Sequence, residues 1–119
     1  MWQVLFHPEL EAEIEGLPRE VATKLAEILL VLRQLGPQLG RPLVDTLKGS
    51  RYDNLKELRF SAGGVWRFVF AFDPKRRAIV LAAADKRSGN QQRAYGRLIA
   101  IAERRYADHL ASMRKGSSQ

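Results

Sequence analysis

Residues 55–87, LKELRFSAGGVWRFVFAFDPKRRAIVLAAADKR, hold three apolar runs rich in Leu, Val, Phe and Ile. Ala62-Gly63-Gly64 and Asp73-Pro74-Lys75 part them, and such short turn-forming breaks join hairpin strands rather than helices. The spacing predicts an antiparallel meander of strands over 55–61, 65–73 and 77–85. In the middle run Trp66, Phe68, Phe70 and Phe72 recur at every second residue and share one face, leaving Val65, Arg67 and Val69 on the other. Arg67 therefore belongs to the interior of a strand, not to a turn. In the first run Leu58 and Phe60 lie opposite Glu57, Arg59 and Ser61, and a hairpin through Gly63-Gly64 brings Arg59 near Arg67. Two guanidiniums that close need an anion between them or a carboxylate beside them.

Upstream of the meander, Trp2, Val4 and Phe6 alternate with Gln3, Leu5 and His7, predicting a strand over 2–7 that Pro8 stops. Leu10, Ile14 and Leu17 then fall on one helical stripe, and Glu9 and Glu11 sit where a helix N-terminus favours negative charge, so a short helix is expected over 9–16. Pro18 opens a second helix over 18–35, whose Val21, Leu25, Ile28, Leu29, Leu32 and Leu35 mark one face before Gly36-Pro37 ends it. A helical hairpin of this kind must bury its stripes on a sheet, and the aromatic face of the middle strand is the place for it. Residues 38–54 read as an ordered connector carrying Arg41, Lys48 and Arg51. After the meander, Ser88-Gly89-Asn90 offers N-caps for a last helix over 90–113 on which Tyr95, Leu98, Ile99, Ala102 and Tyr106 follow helical spacing, with 114–119 a frayed tail. The fold class is α+β: an antiparallel sheet with an N-terminal helical hairpin on one face and a C-terminal helix.

With 119 residues and 13.5 kDa the chain is expected to form one domain with a core of its own, without disulfides, since it has no cysteine. Two scattered histidines and no thiolate argue against a zinc centre, so neither metal nor cofactor is expected. The apolar start is too short for a leader or a membrane span, and a cytoplasmic location is the expectation. Net charge is +7 but uneven: residues 1–40 hold three basic and six acidic groups, the remainder seventeen basic and seven acidic. That asymmetry fits a polyanion-facing surface carried by the sheet and the last helix, with an acidic back, as well as it fits a merely basic protein.

No HExxH, GxSxG or CxxC occurs, and Gly63-Gly64 joins two strands instead of opening a helix, so it is not a phosphate loop. What remains is a set of cations and one phenol: Lys56, Arg59, Arg67, Lys86, Arg87 and Tyr95. Such a set suits RNA cleavage by the substrate's own 2′-hydroxyl, which needs alignment, charge neutralisation at a phosphorane-like centre and proton transfer to the leaving oxygen. Arginine's planar fork serves the first two needs, and lysine or tyrosine the third. The plainer alternative is that Glu57 pairs with Arg67 across the hairpin and that Lys86-Arg87 is a solvated strand end.

The ordered set of Leu55-Lys56-Glu57-Leu58-Arg59-Phe60, then Gly63-Gly64-Val65-Trp66-Arg67-Phe68, then a strand closing on Asp85-Lys86-Arg87, resembles the HigB-type branch of the RelE/ParE toxin superfamily. Leu43 and Leu47-Lys48-Gly49 before it, and Ala102, Arg105 and Ala107-Asp108-His109-Leu110 after it, extend the likeness over about three quarters of the chain. The resemblance implies a RelE-like fold and the toxin of a type II toxin-antitoxin system, a metal-independent endoribonuclease that cuts messenger RNA on the ribosome. It implies catalytic roles for Arg59, Arg67, Lys86, Arg87 and Tyr95, and substrate contacts for Lys48, Arg51, Lys56, Arg93 and Arg97. The implied partner is a cognate helix-turn-helix antitoxin of the HigA type, through which alone DNA is touched. Three positions depart from the pattern: Ala84-Asp85 precede the basic pair, Arg93 stands where RelE-like members have a tyrosine, with Tyr95 two residues on, and residues 88–92 lack a proline. The competing functions are a ParE-like protein that poisons DNA gyrase by binding, and a catalytically weak RNA-binding relic.

Overall fold

A computed structural model describes residues 1–85 and 91–117. The elements in order are β1 (Gln3–Phe6), α1 (Pro8–Ile14), α2 (Arg19–Leu35), a 3-10 turn (Gly36–Gln38), β2 (Val44–Thr46), β3 (Leu55–Ser61), β4 (Val65–Phe72), β5 (Arg77–Asp85) and α3 (Gln91–Ser117). β3 and β5 have the bounds their apolar runs predict, and β4 stops one residue early because Asp73 turns into the next hairpin. There Asp73 Oδ1 accepts the backbone N–H groups of Lys75 and Arg77 at 2.9 and 3.0 Å, the usual way an aspartate closes a tight turn.

The sheet runs β1-β5-β4-β3-β2. Its centre is the expected antiparallel meander. The sheet as a whole is mixed rather than all antiparallel, because β1 lies parallel to β5, with Gln3 opposite Arg77 and Phe6 opposite Val80. A four-residue strand followed by a helical hairpin has no sequence neighbour to pair with, and its alternation says nothing about the direction of a distant partner. The connector likewise holds a short strand that alternation could not reveal: Val44–Thr46 pairs with β3, Val44 facing Leu58. The last helix runs on to Ser117 instead of fraying after 113, and Arg114 and Lys115 in its final turn oppose the negative end of the helix dipole. The expected caps at 88–90 lie outside the described residues.

Each face of the sheet carries its own core. On one, Leu10 of α1 and Val21, Leu25, Ile28 and Leu32 of α2 pack on Leu58, Phe60, Trp66, Phe68, Phe70 and Val80. This is the expected cover over the aromatic face, and Phe68 stacks on both Phe60 and Trp66, at centroid distances of 5.7 and 6.3 Å. On the other, Leu98, Ala102 and Tyr106 of α3 pack on Leu55, Val69, Ala71, Ile79 and Leu81. α2 ends at Gly36 (φ 55°), where the Trp2 indole lies so close that any Cβ would collide with it.

A bulge breaks the β4-β5 ladder: Val69 faces Ala82 while Phe70 faces Val80, leaving Leu81 as the extra residue. Leu81 and Ala82 consequently both face α3. The Leu81 carbonyl accepts from Arg105 at 2.8 Å, and the same guanidinium reaches the Glu13 carboxylate of α1 at 2.6 and 3.0 Å. Next to it Arg104 grips Glu9 through both nitrogens, at 2.9 and 3.0 Å. His109 meets Asp73 at 2.8 Å and Tyr106 accepts from Asn54 at 2.8 Å. These contacts seat the middle and C-terminal turns of α3 on the sheet, and so decide what its N-terminal turns cover.

Candidate active site

Those N-terminal turns lie over the arginine-bearing face of β3 and β4. The Gly63-Gly64 turn, with both residues at positive φ (63° and 146°), sets a register in which Arg59 stands directly opposite Arg67. Side chains so paired have Cβ atoms about 5 Å apart. Two residues along the same face, Glu57 faces Val69 and is buried, 6% exposed. Its Oε1 lies 3.6 Å from Arg59 Nε, and its Oε2 accepts from the Tyr95 hydroxyl at 3.0 Å. The Tyr95 ring in turn carries the Arg67 guanidinium on its face, 4.8 Å from the centroid. Arg67 Nε is buried and has no hydrogen-bond partner among the described residues.

The like charges are therefore held side by side through a carboxylate on one arginine and a π face under the other. Among the described residues Glu57 forms its ion pair with Arg59 and not with Arg67, which corrects the plainer alternative drawn from the sequence. The register explains it, since the residue across from Arg67 is Arg59, and Glu57 lies diagonal to it. Glu57 is the residue that sequence reasoning left out of the site. The signal was its parity with Arg59, which places both on the face opposite Leu58 and Phe60.

Burial pushes the Tyr95 phenol above its ordinary value, and the Glu57 hydrogen bond and negative charge push it further. The Lys48 backbone N–H and the Arg67 charge oppose this only in part. At neutral pH Tyr95 thus keeps its proton and donates it to Glu57. The connector is laid along the same stripe of α3: Lys48 at Tyr95, Gly49 beside Ile99, and Ser50 Oγ and Arg51 N on Glu103 Oε2 at 2.9 and 2.7 Å. Tyr95, Ile99 and Glu103 are four residues apart, one face of a helix. This brings exposed Lys48 to the rim of the site. Arg51 anchors about 12 Å further along α3, eight residues at 1.5 Å each, stacked 5.1 Å from the Tyr52 ring.

Other expected residues are not gathered here. Lys56 alternates with Leu55 and Glu57 and so faces the α1-α2 side of the sheet, across from Phe70. Arg93 and Arg97 are exposed, two residues either side of Tyr95 and hence about 200° around the helix from it. Lys86 and Arg87 lie outside the described residues. Both histidines have structural work: His109 binds Asp73, and His7 Nδ1 accepts the Glu9 N–H at 3.1 Å as the cap of α1. His7, Glu9 and Asp108 bring ligand-type atoms within 4.8 Å of one another. The cap leaves the ring proton of neutral His7 on Nε2, facing Asp108 at 3.8 Å, and Arg104 already occupies Glu9. That arrangement suits an ion-pair cluster better than a cation.

An α+β sheet with a helical hairpin on one face and a C-terminal helix on the other is a RelE-like fold. A solved structure of the E. coli toxin RelE, a double mutant in the free state, matches it with a TM-score of 0.64 at 13% identity, over 87% of this chain and 96% of that one. Residues 12–107 match the family described as phage derived protein Gp49-like (DUF891). The candidate toxin HigB2 of Mycobacterium tuberculosis is 44% identical over 104 residues, 86% of this chain and 51% of the relative. The candidate toxin HigB3 of the same organism is 41% identical over 113 residues, 95% and 97% of the two chains. The chain thus spans about half the length of the first relative and nearly all of the second. It belongs to the Gp49-like family, together with these HigB-type relatives, and shares its fold with RelE. No described helix is long and apolar enough to cross a membrane.

Proposed function

We propose that the chain is the toxin of a type II toxin-antitoxin pair and that it cuts messenger RNA on the ribosome at the Arg59-Arg67 site. The observation that carries this reading is the cross-strand facing of Arg59 and Arg67. Two guanidinium forks side by side match the oxygens of one phosphodiester. In the reaction the 2′-oxygen bonds to the adjacent phosphorus, the bond to the 5′-oxygen breaks, and the products are a 2′,3′-cyclic phosphate and a 5′-hydroxyl. The hydroxyl proton passes to solvent water as the nucleophile forms, and one proton is delivered to the leaving oxygen. Arg59 and Arg67 align the phosphate and neutralise the charge that grows on it. Tyr95, with its proton committed to Glu57, serves by holding Arg67 rather than by proton transfer. Lys86 and Arg87, which follow β5 in sequence, are assigned to the leaving oxygen, and Lys48 to the flanking phosphate. The partner that restrains the site is a helix-turn-helix antitoxin whose acidic segment covers the cations or displaces the N-terminal turns of α3.

The test is primer extension on a defined messenger in a translating extract. Discrete cuts bearing cyclic phosphate ends, present with the wild-type protein and lost with Arg59→Ala, are expected. Intact messenger together with gyrase-dependent breakage of plasmid DNA would overturn the assignment in favour of a gyrase poison.

A further inference from the structure

Four charged or polar side chains are buried among the described residues: His7, Glu57, Asp73 and Arg105. Three have tasks in the scaffold. His7 caps α1, Asp73 closes the β4-β5 turn, and Arg105 fills the bulge. Glu57 has none of these. Its partners are Arg59 and Tyr95, both in the candidate site. A carboxylate taken out of water is costly unless paired, and the same face of β3 carries Leu55, fully buried in the α3-side core.

What Glu57 adds is a closed ring of contacts. Arg59 touches Glu57, Glu57 accepts from Tyr95, the Tyr95 ring carries Arg67, and Arg67 faces Arg59 across the strands. We infer that Glu57 is the positioning residue of the RNA-cleaving site, setting the direction of both guanidinium forks, of Arg59 by direct contact and of Arg67 through Tyr95. Glu57 is too buried to meet the substrate, and its influence passes entirely through the two arginines. The inference rests on the proposed RNA cleavage.

Its signature differs from that of a structural acid. Glu57→Gln keeps the shape and leaves the basic site one charge more positive, so substrate phosphate is held as well as before or better. The forks lose their set direction, and misplacement on the scale of an ångström costs up to about 10²-fold in rate. The expected result is a kcat lower by about 10-fold or more with KM unchanged or reduced, the pattern of a contact that matters in the transition state. Tyr95→Phe keeps the ring but removes the hydroxyl, and should reproduce the kcat loss. Combining the two should add less than about threefold to either alone, because both break the same link.

The measurement is steady-state cleavage of messenger on purified translating ribosomes, beside ultraviolet titration of the phenols, with Tyr95→Phe used to isolate the Tyr95 signal. Titration at lower pH in Glu57→Gln than in wild type is expected. An unchanged kcat in Glu57→Gln, or losses that multiply in the double variant, would overturn the inference. So would full activity in Glu57→Leu, the outcome for a residue that only fills space. Should wild type cleave no RNA, the proposed function itself fails. In that case an unchanged Tyr95 titration in Glu57→Gln separately rejects the Glu57 link, and a shifted one retains it as a positioning contact.

Discussion

Replacing Arg67 by alanine separates a catalytic role from a structural one, because the two predict opposite balances of rate and stability. On the structural side, the guanidinium stacks on Tyr95 at 4.8 Å, a contact worth about 0.5–2 kcal/mol depending on its desolvation. Against that, a like charge directly across the strands costs roughly 0.2–1 kcal/mol, and Arg67 Nε is buried without a partner among the described residues. The net loss of stability is therefore about 1 kcal/mol or less, a few degrees in Tm for a chain of this size. On the catalytic side, removing a preorganised charge-stabilising donor typically lowers the rate by about 10²- to 10³-fold, or ~3–4 kcal/mol. Primer extension in a translating extract, with unfolding followed by circular dichroism, reads both quantities. Arg67→Ala should lose cleavage while melting within a few degrees of wild type. Arg67→Lys should recover it only in part, since lysine keeps the charge and loses the fork. Arg76, on the β4-β5 turn 5.4 Å above the Trp2 ring, is remote from the site, and Arg76→Ala should cleave normally. Wild-type cleavage by Arg67→Ala, or a fall in Tm of ten degrees or more with activity per folded molecule intact, would refute the assignment.

Two further outcomes concern the scaffold that presents the site. Arg105→Ala leaves the Leu81 carbonyl of the bulge without its donor, a loss of about 1–3 kcal/mol, whereas Glu13 is half exposed and rehydrates. Urea unfolding should show that loss, and Arg104→Ala, which breaks exposed and salt-screened pairs with Glu9 and Asp108, should change the midpoint little. His7 titrates below its ordinary value of 6.5, chiefly because burial disfavours the cation, with Arg105 and Arg104 adding to this against Glu9 and Asp108. The unfolded chain therefore takes up the proton first, so the His7 contribution is complete above pH 6.5 and declines as pH falls below it. Melting curves from pH 7 to 5 should fall more steeply for wild type than for His7→Asn, which caps without titrating. Parallel curves would reject the neutral-cap account.

Where the physics is local, the sequence by itself determined the result. The two-residue period of Trp66, Phe68, Phe70 and Phe72 settled which face of β4 is buried, and with it that Arg67 points the other way. The Gly63-Gly64 turn fixed the β3-β4 register closely enough to bring Arg59 to Arg67, because a short loop leaves few pairings. Helical stripes and Pro and Gly breaks placed α1 and α2 to within two residues. Only the tertiary structure decided the rest. The parallel seat of β1 on β5, the strand in the connector and the bulge at Leu81 all depend on partners far away in sequence, which no window of residues contains. The same holds within the site. The two-residue period already parts Lys56 from Glu57, but which helix covers the Glu57 face is decided by the docking of α3. Arg93 and Arg97 flank Tyr95 in sequence, but a helix turns them outward. That Tyr95 meets Glu57 and carries Arg67 follows from where α3 docks. Its docking is set by Arg105, His109 and Tyr106, ten or more residues further along that helix, through contacts with α1, with the β4-β5 turn and with the connector before β3.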